Sequence, residues 1–107
     1  MERTWIKDPN PWIPISDVTS LQVLGKFIEE LNECGAASAR CIIQGIDEVE
    51  PSTNESNRFW LTNEIADVLA NLELVVEHFD LDLDYIGKRV NFKQEYLRRW
   101  HNMQGVA

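Results

Sequence analysis

Hydrophobic side chains recur every three or four residues along three long stretches of the chain, which is the spacing of helices that bury one face. The first stretch runs to about Gln44 and is followed by Gly45, a residue type that often ends helices. At its start, Thr19 and Gln22 have the spacing of a capping box, which satisfies free backbone N–H groups at a helix N-terminus. We therefore predict a first helix with Thr19 as its N-cap.

The second stretch predicts a helix from about Ser56 to Phe79, and the third predicts a helix that ends near His101. Asp82 or Asp84 would cap the third helix, because both lie where the sequence DLDLD breaks the apolar pattern. No segment has the alternation typical of a strand. The chain is therefore predicted to be an all-α bundle of three main helices, with room for a short fourth.

Two segments lie outside these helices. Residues 1–18 hold three of the four prolines and have no helical period, so we predict an irregular arm anchored by Trp5 and Trp12, ahead of a single helical domain over 19–107. Residues 45–57 are polar and are predicted to form a loop, of a length that is more often functional or mobile than a plain connector.

Composition narrows the class of protein. A chain of 107 residues and 12.4 kDa suits one domain, and its net charge of -8 disfavours binding to a nucleic-acid backbone. No apolar run reaches the roughly 20 residues of a membrane span, and the start lacks the apolar core of a signal peptide. We expect a cytoplasmic protein, in the host cytoplasm if phage-encoded, without nucleic-acid or membrane partners. Because three helices of this length leave apolar surface uncovered, we also expect a homo-oligomer, either a dimer or a tetramer.

The two cysteines are predicted to be small core residues. Cys34 and Cys41 lie seven residues apart in one predicted helix, which separates their Cα atoms by about 10 Å and precludes a disulfide between them. Neither belongs to a C-x-x-C pair or has a nearby histidine, so a zinc site is disfavoured.

Acidic residues on two of the helices are candidates for chemistry. A helical wheel of the second helix places Glu64 at the border of the apolar arc, on one stripe with Trp60, Asp67 and Asn71. The first helix carries the order EExxE, in which Glu30 has small and apolar neighbours and Glu29 points farthest from that side. If the two stripes face each other, four carboxylates converge: Glu30, Glu33, Glu64 and Asp67.

Four carboxylates in a partly buried site cannot all stay ionised without counter-charge, which a divalent metal would supply. An all-oxygen ligand set suits Mg²⁺ or Mn²⁺ rather than zinc. The alternative is that both acidic pairs are solvated helix faces, the commonest role of charges at this spacing. A di-iron site is disfavoured, because neither acidic pair contains the Glu-x-x-His of such bundles. Two pairs that both border an apolar arc favour the metal site.

Two cations on the third helix, Arg89 and Lys93, are predicted to face inward within its apolar stripe. Their stems would either pass along the core while the charged ends pair with surface acids, or the charged ends would face the metal site and bind phosphate oxygens. Both interpretations are open from the pattern alone.

The sequence EELNE, followed on a second helix by EIAD, resembles the Glu-Glu-x-x-Glu and Glu-x-x-Asp motifs of the MazG-like all-α nucleotide pyrophosphohydrolases. The stretches RCIIQGID, NEIADVLANLELV and LRRWH are most similar to the small phage-type dATP/dGTP diphosphohydrolases of that superfamily. The resemblance covers about residues 20–101. It implies a MazG-like helical fold, completed by oligomerisation, and Mg²⁺-dependent hydrolysis of a nucleoside triphosphate to the monophosphate and pyrophosphate, with Mn²⁺ as a possible substitute.

The resemblance also implies roles for individual residues. Glu30, Glu33, Glu64 and Asp67 become metal ligands, and Glu29 becomes a ligand through water or a candidate base. Arg89 and Lys93 have the spacing of a Lys and an Asn that contact substrate phosphates in the family, although the residue types differ. Trp60 and Asn71 are candidates to stack on the base and to hydrogen-bond its edge, and Trp60 is equally suited to packing.

Three functions follow as hypotheses. The first is hydrolysis of a deoxynucleoside triphosphate, with dATP and dGTP favoured by the closer resemblance. The second is a related pyrophosphohydrolase that acts on dUTP or phosphoribosyl-ATP. The third is a non-catalytic helical interaction module whose acids are only solvated.

Overall fold

A computed structural model describes residues 11–103. The elements in chain order are α1 (Val18–Gln44), β1 (Val49–Glu50), β2 (Glu55–Ser56), α2 (Asn57–His78) and α3 (Leu83–Met103). The all-α fold with three main helices is confirmed, and over the described residues there is no fourth helix. Residues 11–17 have no regular secondary structure, and Trp12 in this segment is 78% exposed. Trp5 lies outside the described residues.

The first helix begins earlier than its capping-box pattern predicts. Asp17 is the N-cap of α1, and its carboxylate accepts a hydrogen bond of 2.9 Å from the backbone N–H of Ser20. The prediction of Thr19 as N-cap, with Gln22 completing a capping box, is therefore wrong, because Asp17, two residues earlier, offers a carboxylate to the backbone N–H three residues beyond it. The predicted end is confirmed, since Gly45 follows Gln44 as C-cap with φ of 109°, a backbone conformation that favours glycine.

Helices α1 and α2 pack against each other as an antiparallel pair. At one end the Ser20 hydroxyl is hydrogen-bonded to Nε2 of His78 at 2.8 Å, and at the other the Cys41 thiol donates to the carbonyl oxygen of Asn57 at 3.8 Å. Ala37 on α1 and Val75 on α2 are the buried apolar side chains of the described part. The pairing places the acidic stripes of the two helices opposite each other.

A short β-hairpin, not predicted from the sequence, occupies the connection between these helices. Val49 pairs with Ser56 and Glu50 with Glu55 in antiparallel register. The Glu50 carboxylate accepts hydrogen bonds from the backbone N–H of Ser52 at 2.9 Å and of Thr53 at 2.8 Å, and also from the Ser52 hydroxyl. These bonds satisfy the backbone donors of the turn, so the connection is a structured hairpin rather than a plain polar loop.

Asn57 joins the hairpin to the ends of both helices. The residue is 2% exposed, and its side-chain amide donates to the carbonyl oxygen of Gly45 at 2.9 Å and to Oε1 of Gln44 at 3.2 Å. Its backbone N–H donates to the carbonyl oxygen of Glu48 at 2.9 Å. One buried side chain therefore fixes the start of α2 relative to the end of α1.

The third helix stands largely apart from the other two. Asp82 caps it as predicted, since its carboxylate accepts from the backbone N–H of Tyr85 at 3.0 Å. Helix α3 makes little contact with the other elements, and of its described side chains Ile86 alone is half-buried. No helix of the described chain combines the length and the apolar character that crossing a bilayer requires.

Candidate functional site

Three acidic side chains converge between α1 and α2. One carboxylate oxygen from each of Glu30, Glu33 and Glu64 lies within 4.8 Å of the other two. The three-residue spacing puts the first two on one face of α1, and the antiparallel pairing brings Glu64 to their level. The predicted meeting of the two acidic stripes is therefore found for three of its four carboxylates, which we call the acidic triad.

Glu30 is the most buried member of the acidic triad, with 6% of the residue exposed. Its Oε1 lies 3.2 Å from the Nζ of Lys26, but its Oε2 is buried and has no hydrogen-bond partner. A buried carboxylate oxygen without a donor costs free energy, because water would otherwise solvate it. This oxygen is a ready acceptor for a cation.

Glu64 repeats this arrangement from the opposite helix. Its Oε1 accepts a hydrogen bond of 3.1 Å from the indole Nε1 of Trp60, one turn earlier on α2. Its Oε2 is also buried without a partner. Each helix therefore contributes one carboxylate that is held through one oxygen and left unsatisfied at the other.

Electrostatic repulsion within the acidic triad is visible at Glu33. The negative charge of Glu30 raises the pKa of the Glu33 carboxyl above its usual value, and desolvation and the charge of Glu64 add to the rise. A bound cation would act in the opposite direction, because it favours the ionised form of all three acids.

Two of the predicted acids lie outside the triad. Glu29 is exposed, and its carboxylate is 3.5 Å from Lys26, consistent with the prediction that it points away from the shared face. Asp67 is exposed, and its carboxylate does not join the cluster. The Asn71 amide donates to the backbone carbonyl oxygen of Asp67 at 2.8 Å. The metal role of Asp67 and the base-binding role of Asn71 stay predictions.

The cations of α3 do not face the acids within one chain. Arg89 and Lys93 are both exposed, with the guanidinium of the first 5.7 Å from the ring of Phe92 and the ammonium of the second 5.6 Å from the ring of Tyr96. The prediction that they face inward is wrong for the single chain, because α3 makes little contact with the other helices and most of its described apolar stripe is exposed. Their phosphate-binding role stays a prediction.

A cleft of about 360 Å³ opens beside the acidic triad. Its lining contains two of the three acids, two small residues that leave room between the helices, and an arginine beside a tryptophan: Glu33, Ala36, Ala37, Arg40, Trp60 and Glu64. The guanidinium carbon of Arg40 lies 4.2 Å from the centre of the Trp60 ring. The sequence interpretation missed Arg40, although its spacing of seven residues from Glu33 places both on one face of α1.

The cysteines are free and half-buried rather than fully within the core. Cys41 donates its thiol hydrogen to the start of α2, as described above, and Cys34 accepts a hydrogen bond at its carbonyl oxygen from the Ser38 hydroxyl at 2.8 Å. Neither belongs to the acidic triad.

Comparison of the chain with protein-family models, with curated proteins and with solved structures gives no match. The class of protein is therefore defined by the fold and the site alone: an all-α chain whose first two helices hold an acidic triad at the edge of a cleft.

Proposed function

We propose that this protein is a Mg²⁺-dependent nucleotide pyrophosphohydrolase, which cleaves a deoxynucleoside triphosphate to the monophosphate and pyrophosphate. The observation that carries the proposal is the pair of buried, unsatisfied oxygens on Glu30 and Glu64, which converge with Glu33 beside a cleft. The resemblance of EELNE and EIAD to the MazG-like motifs supports nucleotides as the substrate class, and dATP and dGTP within it.

The residues present fit a hard divalent cation. All ligand atoms that the triad offers are carboxylate oxygens, which Mg²⁺ and Mn²⁺ prefer. Two carboxylate oxygens of the triad have no hydrogen-bond partner. Glu30, Glu33 and Glu64 would hold the cation, and Asp67 is proposed as a fourth ligand. When bound, Mg²⁺ would supply charge neutralisation at the phosphates and would acidify a coordinated water.

The chain itself contributes pre-organisation. Lys26 holds one oxygen of Glu30 and Trp60 holds one oxygen of Glu64, so the two remaining oxygens are oriented before any ligand arrives. Glu29 is exposed on the outer side of α1, so the role of water ligand or base that the resemblance assigns to it requires its side chain to turn towards the acidic triad. The small side chains Ala36 and Ala37 leave space in the cleft for the triphosphate.

The remaining substrate contacts are assigned by the resemblance and by position. Trp60 borders the cleft and is proposed to stack on the base, and Asn71 is proposed to hydrogen-bond its edge. Arg89 and Lys93 are proposed to bind phosphate oxygens, which requires α3 of the same or a second copy to dock over the cleft. The residues proposed to contact the metal or the substrate therefore lie on all three helices.

Turnover of a nucleotide panel tests the proposal. The protein is incubated with Mg²⁺ and dATP, dGTP, dCTP, dTTP, dUTP or phosphoribosyl-ATP, and monophosphate and pyrophosphate are measured. Purine deoxynucleotides are expected to be cleaved fastest, whereas preference for dUTP or phosphoribosyl-ATP would support the related pyrophosphohydrolases. Glu64→Gln should lower kcat by about 100-fold or more, because it removes a ligand charge.

Glu73→Gln is the matched control, since it removes an exposed carboxylate from the same helix. If neither variant changes the rate, or if no nucleotide is cleaved, the enzyme proposal fails and the interaction-module hypothesis gains support.

Metal binding is measured separately by thermal unfolding with and without Mn²⁺ or Mg²⁺. A cation that binds only the folded protein at 100 times its Kd would add about 2.7 kcal/mol to the free energy of unfolding. Glu30→Gln should abolish the increase, and Glu73→Gln should retain it. An unchanged melting temperature at millimolar metal would argue against a preformed site.

A further inference from the structure

Arg40 is a charged residue in the cleft, and in the described part of the chain its guanidinium has no ionic partner. It is half-buried on α1, about two turns beyond Glu33, with Trp60 as its aromatic neighbour. Within residues 11–103 no carboxylate lies at ion-pair distance from Arg40, although the chain carries a net charge of -8. Its N–H donors are therefore available to a ligand.

The position of Arg40 joins two cavities. It lines the cleft beside the acidic triad, and it also lines a second cavity of about 480 Å³ at the β-hairpin. The second cavity is lined in addition by residues from the end of α1 and from the hairpin: Gln44, Glu48, Val49, Glu50 and Pro51. A ligand that extends from the acidic triad towards the hairpin would pass Arg40.

The charged residues that line the two cavities determine which part of a nucleotide would bind in each of them. A cation at the acidic triad would draw the triphosphate there, whereas Glu48 and Glu50 at the hairpin end would repel it. Hydrogen bonds from Ser52 and Thr53 lower the pKa of the Glu50 carboxyl to about 2, so Glu50 keeps its negative charge well below neutral pH. The hairpin end is therefore suited to the uncharged base.

An arginine fork distinguishes between purines by their hydrogen-bonding edges. Guanine presents two acceptors, O6 and N7, which match two N–H donors of a guanidinium, whereas adenine presents one acceptor and one donor there. The indole face of Trp60 lies beside the guanidinium, so a base bound to Arg40 would also contact an aromatic surface.

From this arrangement we propose that Arg40 is a specificity-determining residue that binds the O6 and N7 edge of guanine, so that the enzyme prefers dGTP to dATP. The inference rests on the proposed function for the identity of the substrate. It adds a residue and a direction of base preference that the EELNE and EIAD motifs do not assign.

The first test needs no variant. Wild-type protein is assayed with dGTP, dATP and 7-deaza-dGTP, which lacks the N7 acceptor. A good bidentate contact discriminates by about tenfold or more, so kcat/KM for dGTP should exceed that for each of the other two by about this factor. Equal values for dGTP and 7-deaza-dGTP would overturn the assignment.

The second test uses Arg40→Ala, with Arg99→Ala as a matched control that removes one positive charge from α3. The ratio of kcat/KM for dGTP to that for dATP should fall towards one in Arg40→Ala and should be unchanged in Arg99→Ala. Inhibition by inorganic tripolyphosphate should be the same in both variants. If Arg40→Ala instead weakens tripolyphosphate and both purine nucleotides equally, Arg40 binds phosphate and the proposal is wrong.

Calorimetric titration with dGMP and dAMP separates this inference from the proposed function. Tighter binding of dGMP by wild-type protein, lost in Arg40→Ala and kept in Arg99→Ala, supports base recognition even if no triphosphate is cleaved. Turnover of triphosphates without any dGMP preference would leave the proposed function standing and would overturn the role of Arg40. Circular dichroism of both variants establishes that each is folded.

Discussion

At the scale of single residues, the acidic triad lowers the stability of the metal-free folded protein. Two buried carboxylate oxygens lack donors, and the neighbouring Glu33 has a raised pKa because like charges surround it. Local conflicts of this kind are concentrated at functional sites, where a ligand offsets them. The conflict predicts how the metal-free protein should respond to pH and to substitution.

Glu33→Gln should stabilise the metal-free protein at neutral pH. Because the pKa of Glu33 is raised in the folded state, that state binds more protons than the unfolded chain, and stability falls as pH rises through the raised pKa. The variant lacks this charge and should lose that part of the pH dependence. Urea denaturation from pH 4 to pH 8 with chelator present measures the effect, and Glu73→Gln is the control. Lower stability of Glu33→Gln at pH 7 would contradict the repulsion.

Helical spacing in the sequence predicts some of the residues of the candidate site but not all of them. Glu30, Glu33 and Glu64 could be grouped from helical spacing, because the geometry of two paired helices is regular. Asp67 has the same spacing but lies outside the triad, and Arg40 was missed, because it depends on which side of α1 meets Trp60. Such contacts are set by the pairing of helices, which one-dimensional spacing does not specify.

At the scale of elements, the β-hairpin and its anchor determine how α1 leads into α2. The starts of α2 and α3 are close to those predicted, because Ser56 and Asp82 act as local N-caps. The hairpin was not predicted, since strands of two residues have no period to recognise. Its stability comes from specific side chains, so single substitutions can test it.

Asn57→Ala should lower the free energy of unfolding by about 1–3 kcal/mol, because it leaves the Gly45 carbonyl and the Gln44 side-chain oxygen without their buried donor. Chemical denaturation measures the loss. Asn91→Ala, at an exposed position on α3, should have little effect. Equal stability of the two variants would show that Asn57 is not the anchor inferred from its hydrogen bonds.

Glu50→Gln should weaken the hairpin in a pH-dependent way. The pKa of Glu50 is lowered to about 2 by the Ser52 and Thr53 donors, so its contribution to stability is present above the unfolded value near 4.5 and is lost as pH falls towards 2. Amide hydrogen exchange at residues 52 and 53 should be faster in the variant at pH 6, and the difference should shrink in acid. Glu55→Gln, its cross-strand neighbour, is the control.

At the scale of the whole molecule, one chain leaves much of its apolar surface uncovered. Its radius of gyration is 19.5 Å, against about 13 Å expected for a compact domain of this length. Val90, Phe92, Leu97 and Trp100 on α3 are all exposed. The placement of α3 could not be predicted from its sequence, because an amphipathic helix specifies a buried face but not the surface that covers it.

We expect the protein to form a homo-oligomer in which α3 is covered. Analytical ultracentrifugation should give a mass of at least twice the 12.4 kDa of one chain. Leu97→Glu should shift the distribution towards the monomer, because it places a charge in the apolar face, whereas Gln94→Glu at an exposed polar position should leave the mass unchanged. A wild-type protein that sediments as a monomer at all concentrations would exclude this expectation.

The indole ring of Trp60 connects the acidic triad with Arg40. Its Nε1 donates a hydrogen bond to Glu64 of the acidic triad, and its face contacts Arg40, so one rigid ring contacts residues at both ends of the cleft. A ligand that turns the ring at one end would alter the affinity of the other end. Thermodynamic reciprocity requires the two effects to be equal, so a cation that strengthens nucleotide binding through Trp60 would itself be held more tightly by the nucleotide to the same degree.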